Sequence, residues 1–369
     1  MMATKVSMNG CDALAETLGP ADAAPSRTPV FPVFESAAYA RGPELARGGL
    51  GRIRLATDLR VGRRVAIKEL VANTQGLAAR FVREARLAAQ LQHPNIIPIY
   101  EVGCWADGTP FYSMRHVEGC TLYQAIAKAR TLEARMRLLP SIIAAADAVA
   151  FAHASGVVHR DLTPSNILVG EFGETVVIDW GLAKDLLSSA DAQATAVAAR
   201  RDAPGRRYRS GTTRELLTGS GIVIGTPAYM PLEQAEGKRV DERADVYALG
   251  AILYHLIAGR PAYLALTPKR VLDEVRAAPP PPLSEIAEHA PRALVSIVAR
   301  AMARDAADRY ANAKELVLEL RRFQAGLVVE AHSYSVGERV GRWEERRRPL
   351  LVTAMCTLAV AMATLAHFV

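Results

Sequence analysis

Cysteine is scarce in this chain, and the four present (Cys11, Cys104, Cys120 and Cys356) follow no metal-ligand spacing. That speaks against a zinc module or a disulfide-stapled secreted scaffold and fits a reduced compartment. The eight histidines show no ligand pattern either. Aromatic residues are only 6% of the 369, and none interleave with the basic stretches, so a net charge of +7 does not point to nucleic acid. No charged segment followed by a long apolar run stands near Met1, so no signal peptide is expected. No internal repeat or separate sensor module is apparent. Periodicity is missing from residues 1–42, which read as a flexible N-terminal arm. It is also missing from a stretch rich in Ala, Gly, Ser, Thr and Arg, which reads as a disordered insertion over residues 185–220. Arg200, Arg201, Arg206, Arg207, Arg209 and Arg214 make that region basic, suiting a solvated loop or a dock for acidic partners.

What the chain does hold is an ordered series of polar residues between short apolar runs. His159-Arg160-Asp161-Leu162-Thr163-Pro164-Ser165-Asn166 lies between Gly156-Val157-Val158 and Ile167-Leu168-Val169, and Asp179-Trp180-Gly181 follows Thr175-Val176-Val177-Ile178. The apolar runs read as strands, so the polar side chains project from turns. Asp161 can take the proton of an attacking hydroxyl, and Asn166 and Asp179 can hold the cations that bridge nucleotide phosphates. Upstream, Leu45-Ala46-Arg47-Gly48-Gly49-Leu50-Gly51-Arg52-Ile53 is a glycine-rich turn that lets backbone N–H groups approach phosphate oxygens. Val65-Ala66-Ile67-Lys68 then puts a lysine on an apolar strand, and Glu84, in the helical segment from Leu77 to Leu91, offers it a carboxylate.

In this order the motifs resemble those of the bacterial, eukaryotic-like serine/threonine protein kinases, over roughly Pro43 to Phe323. The resemblance implies an α+β, bilobal protein kinase fold with a small β-rich N-lobe and a larger helical C-lobe, occupying residues 43–324. It implies ATP and Mg²⁺ (or Mn²⁺) as cofactors and protein Ser/Thr hydroxyls as acceptors, on downstream signalling proteins and on the chain itself in trans. Asp161 is then the catalytic base, Lys68 and Glu84 the phosphate-holding pair, and Thr226 a helper in the substrate-docking loop Gly225-Thr226-Pro227-Ala228-Tyr229-Met230. Asn166 and Asp179 hold metal. Leu45, Ala46, Gly48, Gly49, Gly51, Ile53, Ala66, Met114 as gatekeeper, Val117 and Leu168 surround the nucleotide. Asp245, on the helix running from Asp241 to Gly250, braces the catalytic loop, and Arg309 pairs with Glu233. His159 is expected to be a packed residue and not a base.

Arg160 before the catalytic aspartate implies control by a phosphate on the activation segment. Thr218 and Ser220 are the expected phosphosites, seven and five residues before Gly225. The pattern is departed from in four places: Ala46 for a glycine, Trp180 for phenylalanine, a proline displaced to Pro231, and Thr163 for the lysine that meets the γ-phosphate. Loss of that charge removes an electrostatic term of about 2–4 kcal/mol, and Pro164-Ser165 supplies no arginine in its place. Two readings therefore stay open, a working kinase and a catalytically weak scaffold that binds nucleotide and recruits partners. A small-molecule kinase fits less well, given the docking loop.

Residues 350–369 carry no Asp, Glu, Lys or Arg, and twenty helical residues span about 30 Å, a bilayer core. Unlike a core helix, the segment shows no polar face. It is expected to be a C-terminal transmembrane helix, after a basic juxtamembrane linker over residues 325–349. Arg346-Arg347-Arg348 in front of it would keep the kinase domain on the cytoplasmic side of a single-pass protein and meet anionic headgroups. The segment would be a tail anchor or lead to an extracytoplasmic part.

Overall fold

The computed structural model describes residues 38–48, 51–71, 75–180, 184–185, 215–218, 221–224, 226–334 and 357. Strands β1 (Tyr39–Arg47), β2 (Gly51–Asp58) and β3 (Arg63–Leu70) lead to helix α1 (Gln75–Gln90), followed by β4 (Ile99–Cys104) and β5 (Pro110–Arg115). These five strands form one antiparallel sheet in the order β1-β2-β3-β5-β4. Alternation along β3 and β5 sorts side chains to two faces. Ala66, Tyr112 and Met114 join Phe81 and Ala85 of α1 in one cluster, while Val65, Ile67 and Phe111 join Tyr39 and Trp105 in another. Trp105 stacks on Phe111 at 3.9 Å and Tyr39 meets both edge-on. The outer sheet face is thus closed by three of the chain's few aromatic residues.

The second lobe holds β6 (Gly119–Thr121), α2 (Leu122–Lys128), α3 (Leu132–Met136), α4 (Leu139–Ala154), β7 (Val157–Val158), β8 (Ile167–Gly170) and β9 (Thr175–Val177). β10 (Lys184–Asp185), β11 (Glu215–Thr218), β12 (Gly221–Ile224) and α5 (Leu232–Ala235) come next. The chain then runs through α6 (Glu242–Ala258), α7 (Pro268–Ala277), α8 (Leu283–Ile286), α9 (Arg292–Ala301) and α10 (Ala313–Gln324). α4 and α6 have almost no polar face, as helices surrounded by other helices must. Helix ends follow local chemistry: Asp241 caps α6 by accepting from the Arg243 N–H at 2.9 Å, and Gly259 ends it at φ 73°.

Several boundaries differ from those read in the sequence. Among the described residues the first strand starts at Tyr39, a core residue ahead of the expected domain start at residue 43. Leu45, Ala46 and Arg47 belong to β1 and not to the turn. The expected insertion over 185–220 takes in β11, which pairs with β12 as a hairpin (Glu215↔Ile224 to Thr218↔Gly221); residues 186–214 and Ser220 lie outside the described residues. At the far end, residues up to Tyr334 pack on the C-lobe, with Val329 buried and the Ala331 N–H donating to Glu319 at 3.0 Å, so the linker begins later than residue 325. The expected span 350–369 falls outside the described residues, Thr357 excepted. Among the described residues, only Leu132–Ala154 is long and apolar enough to cross a membrane, and half of its apolar window is buried inside the fold. That stretch takes in α3 and α4, and α4 packs in the core of the C-lobe.

Two consequences are measurable. A Cβ added to Gly250 on α6 would stand 2.8 Å from both the Ala301 methyl and Met302 Cγ. Gly250→Ala should therefore destabilise the protein by about 1–3 kcal/mol in a denaturant melt. His255, near the end of the same helix, is hydrogen-bonded through Nδ1 to the Tyr229 hydroxyl (2.8 Å), and burial, with Arg135, lowers its pKa to about 4. The unfolded chain then binds a proton below pH 6.5 that the folded one refuses, so this contribution is full above 6.5 and disappears as pH falls toward 4. It amounts to up to about 3 kcal/mol. His255→Gln, which keeps an acceptor, should flatten that part of the stability–pH curve.

Candidate active site

Strand alternation places Lys68 on the inner side of the N-lobe sheet, where Glu84 of α1 meets it in a short ion pair. On the other side Asp179 Oδ1 lies 3.5 Å from the Lys68 ammonium. Burial works against this ammonium, but Asp179 and Glu84 outweigh it and hold its pKa well above 10.5. Glu84 accepts a second hydrogen bond, from the Tyr112 hydroxyl at 2.8 Å.

Above this pair, β1 and β2 form a hairpin whose turn is closed by the Gly48 N–H donating to the Gly51 carbonyl at 2.8 Å. A side chain at Gly51 would come within 2.6 Å of the Glu69 carbonyl, while the nearest atom to one at Gly48 would be 3.9 Å away. Gly51 is thus demanded by packing, and the room above Gly48 is open. Ile53, Ala66, Met114 and Val117 share one apolar cluster beneath the turn. Leu168 is partly buried on β8, Leu45 is 48% exposed and Ala46 is exposed. Gly49 lies outside the described residues.

The loop after β7 owes its shape to Asp245. This carboxylate, 1% exposed, accepts from the His159 N–H at 2.7 Å, the Arg160 N–H at 2.9 Å and His153 Nε2 at 3.0 Å. Burial alone would raise its pKa; the hydrogen bond from His153 leads the opposing effects, which keep it below the usual carboxylate range. His153 Nδ1 accepts from the Ala313 N–H at 3.3 Å, so its proton sits on Nε2. Arg160 (φ 69°) and Asp179 (φ 64°) are the two non-glycine residues with positive φ among those described, strain of the kind concentrated at functional loops.

Beyond Arg160, Asp161 Oδ1 accepts from both the Thr226 N–H (3.0 Å) and hydroxyl (3.2 Å), joining the loop to the docking segment. Asn166 Nδ2 donates to the Asp161 carbonyl at 2.8 Å, which leaves the amide oxygen as the atom suited to a cation. His159 is fully buried against Trp180, with ring centroids 4.6 Å apart. Thr163 is buried as well. Arg309 makes a two-pronged pair with Glu233, at 2.6 and 3.1 Å. Thr218 is on β11, whereas Ser220 and Gly225 lie outside the described residues.

The donor set fits a nucleotide with a divalent cation. Asp179 and Asn166 offer a carboxylate and an amide oxygen, hard ligands that would share the ion with phosphate oxygens. Lys68 is held charged, which suits it to a phosphate oxygen. Three contributors are hard to find in sequence: Tyr112, His153, and Gln234, whose Nε2 donates to the Arg160 carbonyl at 2.7 Å. The one signal for Tyr112 is alternation along β5; the other two have no spacing that announces them.

The protein kinase domain family model matches residues 39–319. Serine/threonine-protein kinase PknD of Protochlamydia amoebophila is 33% identical over 306 residues, covering 76% of this chain and 29% of that protein. A probable serine/threonine-protein kinase of Streptomyces coelicolor is 33% identical over 289 residues, covering 76% and 39%. PknB of Mycolicibacterium smegmatis is 32% identical over 300 residues, covering 79% and 44%. The chain spans less than half the length of these relatives. The match runs from the first strand of the N-lobe into the last helix of the C-lobe, and the chain belongs to the protein kinase family, on its bacterial serine/threonine branch.

Proposed function

We propose that this chain is an ATP-dependent serine/threonine protein kinase that phosphorylates its own activation segment and downstream signalling proteins while tethered to the membrane. The observation that carries the reading is the Asp161–Thr226 pair, linked through Asn166 and the Ile178 N–H to the segment whose Asp179 pairs with Lys68 beside Glu84. ATP with Mg²⁺ or Mn²⁺ supplies the phosphoryl group and the charge that steadies it. Asp161 takes the hydroxyl proton, its rotation fixed by Thr226. Lys68 holds phosphate oxygens, Glu84 orients Lys68, and Asp179 and Asn166 hold the cation.

Thr163 leaves no lysine at the position that would face the γ-phosphate, so the enzyme is expected to be slow. The hairpin register supports phosphorylation in trans. Thr218 lies at the turn end, three residues of strand and about 10 Å from Ile224, and Ile224 leads to the Thr226 that binds this copy's own Asp161. A second copy's Asp161 reaches the turn more easily. Residues 350–369 anchor the protein in the cytoplasmic membrane, with the catalytic lobes in the cytoplasm; their lack of charge and the preceding arginines support this.

The test is autophosphorylation of the full chain in lipid vesicles with labelled ATP and Mg²⁺. Label is expected on the native protein and not on Asp161→Asn, and mapping should find it on Thr218 or Ser220; modification of neither overturns the phosphosite assignment. Thr163→Lys should raise the rate tenfold or more, since each factor of ten needs only about 1.4 kcal/mol in the transition state. A folded protein that binds ATP but carries label only as Thr163→Lys would instead be a scaffold.

A further inference from the structure

The Tyr112 hydroxyl has no part in the functional reading so far, yet it touches a residue on which that reading depends. β3 and β5 pair Lys68 directly with Tyr112, so the two side chains leave the sheet on the same face. The Lys68 ammonium stands 5.6 Å from the centre of the Tyr112 ring. Three residues before Glu84 on α1, Phe81 packs against that ring with centroids 5.0 Å apart. The hydroxyl then donates at 2.8 Å to Glu84 Oε1, the same oxygen that meets Lys68. One tyrosine therefore grips α1 at two points, by its ring and by its hydroxyl, and fixes the carboxylate that orients the lysine.

We propose that Tyr112 is a positioning residue for phosphate binding, a latch that holds Glu84 and its helix toward the sheet whether or not nucleotide is present. The inference rests on the kinase reading, in which Lys68 must turn toward phosphate. When it does so, Lys68 shares its donors between Glu84 and phosphate oxygens, and a buried carboxylate with a weakened partner tends to turn away toward water. The Tyr112 hydroxyl keeps a donor on Glu84 throughout that change. Burial, with the nearby Glu84 carboxylate, keeps the phenol pKa well above 10, so Tyr112 remains a donor at every working pH. The competing account is that Glu84 merely satisfies a buried hydroxyl, with no effect on the lysine.

The two accounts separate in MgATP affinity, measured by calorimetry on the full chain in vesicles. Tyr112→Phe keeps the ring and removes the hydroxyl. It should weaken MgATP binding roughly tenfold or more, as loss of a hydrogen bond to a charged group does. In a Glu84→Ala background the same substitution should have no further effect, because the latch has nothing left to hold. Tyr112→Met, a different filler without the hydroxyl, should repeat the loss. Unchanged affinity in Tyr112→Phe, or equal weakening with and without Glu84, overturns the proposal even if the melting temperature falls. A native protein that binds no MgATP overturns the kinase reading and this inference with it.

Discussion

A single carboxylate on α6 holds the loop that carries Asp161 in a backbone shape the loop would not keep by itself. Asp245 gathers two consecutive N–H groups, and that is what allows Arg160 to sit at positive φ without a glycine. The same oxygen that binds the His159 N–H also takes the proton of His153, whose other nitrogen reaches the start of α10. Three helices thus converge on one buried charge. A charge so buried is tolerated only because every approach to it is a donor.

The N-lobe solves the same problem differently. Part-buried Lys68, buried Glu84 and part-buried Asp179 steady one another through their side chains, each supplied by a different element: β3, α1, and the segment after β9. Such a cluster exists only while α1 lies close to the sheet, so the position of that helix and the orientation of the lysine are one variable. The C-lobe site is rigid by construction, whereas the N-lobe site depends on where a helix rests. Tyr112 stands at that joint.

Thr163 and Trp180 are departures that the fold absorbs. Both are buried, so neither alters the surface, and Trp180 fills its place against His159 with a larger ring. The consequence we propose for Thr163 is electrostatic and concerns rate. It leaves the architecture of the loop intact, since Asn166 still binds the Asp161 carbonyl and its N–H reaches the Thr163 carbonyl at 3.0 Å.

The sequence by itself determined the order of the strands and helices around the site, because alternation along β3 and β5 and the unbroken apolar character of α4 and α6 are local properties. It also determined which residue types stand at Lys68, Glu84, Asp161, Asn166 and Asp179, whose spacing along the chain is a family pattern. Tertiary structure alone decided who touches whom. Tyr39 read as part of an arm because its partners Trp105 and Phe111 lie more than sixty residues away. The contact between His153 and Asp245 joins residues 92 positions apart. The Tyr112 hydroxyl meets α1 only after the sheet and helix have packed. In each case the deciding contact joins residues with no common periodicity, and burial of a polar atom, which forces it to find a partner, is a property of the folded chain only.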